Sequence, residues 1–164
     1  MTVRLGAAGP HGRIARASLR SPVRWVLPVI AAGGMLGASA RFALDLTWRS
    51  GSDALPWSTL VINVTGSLLI GVLMVNVTEV GGVHPLVRPF LGVGVLGGYT
   101  TFSTYTVQTD ALLRAGHPEL ALAYFFGTVA ATLVAVSLGV VAARTFLRAR
   151  QWRARPRPEH RDAR

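Results

Sequence analysis

The residues with most chemistry to offer lie in one short segment, GGYTTFSTY at 97 to 105, where two glycines precede a tyrosine and a run of hydroxyl side chains. Thr100, Thr101, Ser103, Thr104 and Tyr105 are hydroxyl donors there, and Asn63 adds an amide NH₂. Phe102 and Tyr105 are three apart, so on a helix their rings share a face, and an aromatic ring presents a positive edge to its neighbour. Hydroxyls, an amide and ring edges together make a site for a small anion without a fixed full charge. Each also has a plainer reading: Asn63 as a hydrogen bond between helices, the two rings as packing. Other chemistries find no support. Cysteine is absent, the four histidines are scattered at 11, 84, 117 and 160, and none of the seven carboxylates falls inside a long apolar run. No metal cluster, acid pair or thiol nucleophile can be assembled, which argues against a conventional soluble enzyme.

The elements that must hold these groups are marked by where charge is missing. Uncharged stretches cover 25 residues at 54–78, 21 at 89–109 and 24 at 120–143, and a helix needs about 20 apolar residues to span a bilayer. A fourth stretch, from Trp25 to Leu46, is uncharged for 16 residues before Arg41 and Asp45 interrupt its end. The reading is an all-α membrane protein of four transmembrane helices, with Asn63 in the second at a depth similar to 97–105 in the third. A soluble bundle would show a polar face every 3.6 residues, and LVINVTGSLLIGVLMVNV shows none. Ala38, Ser39 and Ala40 after the apolar stretch resemble a signal-peptidase site, but Phe42, Ala43 and Leu44 continue that stretch into a span. Gly33 with Gly37, Ser67 with Gly71 and Gly94 with Gly98 are small-xxx-small pairs that let helices approach closely. Gly97 and Gly98 followed by hydroxyl residues predict a break near the middle of helix 3, which lipid tolerates only where protein or a watery cavity surrounds it.

Outside the spans the 164-residue chain carries a net charge of +10, and all 17 basic residues are arginine. Residues 1–24 and 148–164 read as basic disordered tails flanking a 25–147 membrane domain. Anionic lipid headgroups suit such arginines beside membrane helices better than nucleic acid does. The loops between spans hold no extramembrane domain, so function belongs inside the bilayer.

GGMLGASARF at 33–42, NVTGSLLIG at 63–71 and GGYTTFSTY at 97–105, in this order and each in its own helix, resemble the Fluc (CrcB) fluoride channels over about residues 28–142. The resemblance implies an antiparallel, dual-topology-type dimer of four-helix subunits in the cell membrane, with fluoride pores along the subunit contacts and a structural sodium ion (Na+) at the centre. It implies that Asn63 donates to fluoride, that Phe102 and Tyr105 supply ring edges, and that Ser103, Thr106 and Tyr124 form a polar track. Main-chain carbonyls of Gly97 and Thr100 would bind the sodium, and Arg41 would attract anions to the vestibule or, more plainly, snorkel to the interface. Two positions depart from the family's usual residues: Tyr105 stands for a phenylalanine and Gln108 for a glutamate, and the added Tyr105 hydroxyl needs a partner. A small proton-coupled multidrug exporter would need an embedded carboxylate, for which only Asp45 is available, and a non-transporting assembly subunit would need no polar track. Five arginines precede helix 1, Arg88 lies between helices 2 and 3, and eight run from Arg144 onward, against Arg41, Arg49 and Arg114 on the other side. The positive-inside rule then places both termini in the cytoplasm. Such a bias opposes equal insertion in both directions, so the expected partner is a separately encoded paralogue of opposite bias, with a second copy of the chain as the alternative.

Overall fold

The computed structural model describes residues 23–48, 55–80 and 83–153. Arg49 and the outer parts of both arginine-rich tails, 1–22 and 154–164, lie outside the described residues. Helix α1 (Val23–Thr47) and helix α2 (Trp57–Glu79) come first. Helix α3 (Arg88–Leu96) has π-helical hydrogen bonding and runs on into one α-turn, Gly97–Tyr99. Helix α4 (Ser103–Arg114) and helix α5 (Pro118–Arg153) follow. Among the described residues, three helices are long and apolar enough to cross a membrane: Trp25–Thr47, Trp57–Glu79 and Pro118–Trp152. The chain is thus an all-α membrane protein, and the uncharged stretch 89–109 is divided between α3 and α4.

Local sequence explains the boundaries. Pro56 precedes α2, Pro89 sits in the first turn of α3 and Pro118 opens α5, each where a missing N–H costs no helical bond. Gly116 adopts φ +82 in the turn between α4 and α5, a conformation that a Cβ would strain. The α5 helix differs from expectation by running past 147, because Arg, Ala and Gln in 148–153 are strong helix formers.

Packing rests on close backbone approach. A methyl at Gly37 would overlap the Val95 carbonyl, and one at Gly98 the Gly34 carbonyl, so α1 lies directly on α3 and the turn after it. The α2 and α5 helices meet in the same way, where a methyl at Gly71 would strike the Val136 carbonyl and one at Gly139 the Leu68 carbonyl. In lipid no hydrophobic force drives helices together, so dispersion across such glycine contacts is a main source of cohesion. The α4 helix packs on α5 around Tyr105, Leu112, Ala121 and Tyr124, all buried. These contacts set the chain between α3 and α4 against the middle of α2.

Candidate functional site

Between Tyr99 and Ser103 the backbone leaves the helix: Thr100 takes φ −76 and ψ 158, an extended conformation. That step frees main-chain groups from helical bonding, and Asn63 takes up two of them. Its Nδ2 donates to the Thr101 carbonyl at 2.9 Å, and its Oδ1 accepts the Thr101 N–H at 2.9 Å. The Thr101 hydroxyl in turn accepts the Thr104 N–H at 3.2 Å, in the manner of a helix N-cap, and bonds the Thr104 hydroxyl at 3.0 Å. One consequence falls on two carbonyls. In a continuous α-helix, Gly97 would be bonded by the Thr101 N–H and Thr100 by the Thr104 N–H. Both donors are engaged elsewhere, so these two oxygens lose their helical partners.

The break opens onto a cavity of about 240 Å³. Asn63, Ser67, Thr100 and Thr101 line one side, Phe102 and Tyr105 another, and Thr128 and Thr132 of α5 a third. Thr100 and Thr132 return their hydroxyls to their own helices, at Leu96 and Val129. Thr128 does not: its hydroxyl is buried, 4% exposed, and has no protein partner. One Asn63 amide hydrogen and the Thr128 hydroxyl are therefore donors that the fold leaves unspent beside the cavity. Among the described residues Asp45, Glu79, Asp110 and Glu119 all lie near helix ends, and none lines it. A cavity with neutral donors and no carboxylate can hold a small anion weakly and offers nothing for proton relay or acid catalysis.

The aromatic residues divide. Phe102 is 74% exposed, with its ring 5.8 Å from that of Tyr105 and tilted by 52°. Tyr105 is 2% exposed, stacked on Phe125 at 5.5 Å and tilted against Tyr124 at 5.4 Å. The hydroxyl that distinguishes Tyr105 from phenylalanine donates to the Phe125 carbonyl at 2.6 Å, which tethers α4 to α5. Tyr124 donates to Oε1 of Gln108 at 2.9 Å, so its proton is committed within the chain.

Of the residues read from the sequence, Asn63, Thr100, Phe102 and Tyr105 converge on the cavity. Ser103 stands beside it, 3.4 Å from the Thr101 hydroxyl. The Thr106 hydroxyl is spent on the Phe102 carbonyl at 2.8 Å, and Tyr124 reaches the cavity only through the Tyr105 ring. Arg41 is half-buried on α1 and away from the cavity lining. The sequence reading missed Thr128 and Thr132. Their signal was the spacing of four from Tyr124 to Thr128 to Thr132 on an otherwise apolar helix.

The sequence model of the family described as CrcB-like protein, Camphor Resistance (CrcB), matches residues 28–140. The chain is 47% identical over 145 residues to fluoride-specific ion channel FluC 1 of Streptomyces coelicolor, covering 87% of this chain and 94% of that one. It is 47% identical over 128 residues to FluC 2 of Streptomyces avermitilis, covering 75% and 81% of the two chains. It is 50% identical over 119 residues to FluC 2 of Nocardia farcinica, covering 73% and 85%.

Proposed function

The chain belongs to the CrcB-like family, and we propose from this that it is a fluoride-specific channel that lets cytoplasmic fluoride leave the cell down its electrochemical gradient, without catalytic turnover. The observation that carries the reading is the cavity at the Thr100–Phe102 break, with unspent donors from Asn63 and Thr128, an exposed Phe102 ring and no carboxylate. Fluoride is small and tightly hydrated, so a conducting path must replace water with short, directed donors. Neutral donors in series do so while letting the ion leave. Asp45, the only carboxylate within the first span, stays outside the cavity, which disfavours a proton-coupled exporter.

In this reading Arg88–Arg114 forms the third of four spans, broken at its middle, and the working unit is an antiparallel dimer whose pores run along the subunit contacts. The 74% exposure of Phe102 suits a side chain completed by a partner. Ser103 and the Tyr124–Gln108 pair extend the track from the cavity, Thr106 lies along it, and Arg41 draws anions to its mouth. The carbonyls of Gly97 and Thr100, released from their helical donors, are hard oxygen ligands fit for a sodium ion, which would supply a fixed positive charge at the dimer centre. The arginine bias supports an orientation with both termini in the cytoplasm and pairing with a paralogue of opposite bias. The test is fluoride efflux from proteoliposomes, read with a fluoride electrode. Efflux should proceed without a proton gradient and exclude chloride, and chloride loss at a comparable rate refutes the reading.

A further inference from the structure

The α5 helix is longer than a bilayer needs. Its 36 residues extend about 54 Å at 1.5 Å each, against a hydrocarbon core of about 30 Å. The uncharged stretch ends at Ala143, so the turns from Arg144 onward stand at headgroup depth and beyond. There α5 and the end of α2 enclose a groove of about 430 Å³, lined by Glu79, Arg144, Arg148, Arg150 and Gln151. Glu79 neutralises one guanidinium, since Nε of Arg144 bonds its Oε1 at 2.8 Å. Among the described residues Arg148 and Arg150 have no acidic partner, which leaves the groove with two uncompensated positive charges. Trp152, 77% exposed, and Phe146, 69% exposed, lie on the same stretch of α5 and carry rings of the kind that settle at membrane interfaces.

We infer that this groove binds the phosphate of an anionic phospholipid in the surrounding leaflet. The guanidinium fork of arginine matches phosphate oxygens in pairs, and juxtamembrane arginines gain from anionic lipid at the surface. A lipid fits better than a free phosphate because the groove lining also includes the apolar side chains of Val80 and Leu147, which the glycerol and upper acyl chain of a lipid can cover.

The purified, delipidated full chain tests this by native mass spectrometry with added phosphatidylglycerol or phosphatidylcholine. Phosphatidylglycerol should bind about tenfold more tightly, and the Arg148→Gln/Arg150→Gln double variant should lose that preference. These side chains are exposed and make no hydrogen bond or ion pair among the described residues, so the variant should keep its helix content and monodispersity. Glu79→Gln should bind phosphatidylglycerol at least as well as the parent. Equal binding of the two lipids, or an unchanged preference in the double variant, overturns the assignment. So does displacement of the lipid by millimolar inorganic phosphate, which would mark a soluble-anion site. The readout is binding without conduction, so it stands or falls separately from fluoride transport.

Discussion

Replacing Asn63 with alanine should injure the protein twice. The side chain is 9% exposed and makes two bonds of 2.9 Å with the main chain of Thr101. Its removal leaves an N–H and a C=O unpaired where water is scarce, at about 1–3 kcal/mol for each group, or roughly 2–6 kcal/mol together. A loss at the low end of that range lowers a melting midpoint by at least about 4 °C in a chain of this size. Thr128→Val is the comparison: it deletes a cavity hydroxyl with no protein partner and orphans nothing, so the midpoint should hold or rise while fluoride efflux falls. Thermal unfolding followed by size exclusion, beside efflux from proteoliposomes, reads both quantities. If Asn63→Ala stops efflux with an unchanged midpoint, the amide serves the ion alone and the argument that it closes the break is refuted.

Phe102→Ile should leave the stability of the single chain within about 0.5 kcal/mol, because the ring is exposed, yet should suppress fluoride efflux. Tyr105→Phe should cost only about 0.5–1.5 kcal/mol and keep efflux, since the Phe125 carbonyl retains its own helical donor; a dead channel would mean that the Tyr105 hydroxyl serves the ion. Exchanging sodium for a bulky organic cation should lower efflux or dimer stability, and indifference would remove the ion from the Gly97 and Thr100 carbonyls. A reporter fused to the C-terminus should be active only on the cytoplasmic side, and efflux should be stronger when a paralogue is co-expressed; full activity from the chain alone defeats the paired-subunit reading.

The α2 helix up to residue 78 and the 120–143 part of α5 were legible because lipid forbids charge across the thickness of a bilayer. For the break, the sequence pointed to the neighbourhood and not to the residue: the glycine pair itself stays helical, with Gly98 against Gly34, and the chain leaves the helix only at Thr100. Its closure was not legible. The partner of Thr101 is 38 residues away, and no local pattern names it. Nor does composition mark the π-helical turns of α3, whose spacing is set by backbone bonds and packing against α1. The destination of the Tyr105 hydroxyl escaped for a simpler reason: it is a main-chain carbonyl, and the sequence is silent about carbonyls. Thr128 was overlooked because one hydroxyl on an apolar helix looks ordinary until its neighbours four residues either side are counted with it.

The Asn63–Thr101 clasp also fixes an order of events during synthesis. Residues 100–102 cannot rest in lipid alone, because unpaired main-chain groups there cost several kcal/mol. Their partner sits on α2, which the ribosome delivers first. On the four-span reading, the α3–α4 segment would complete its insertion against a helix already in place, and the chain order, with the amide ahead of the break it closes, would be the order in which the membrane can accept it.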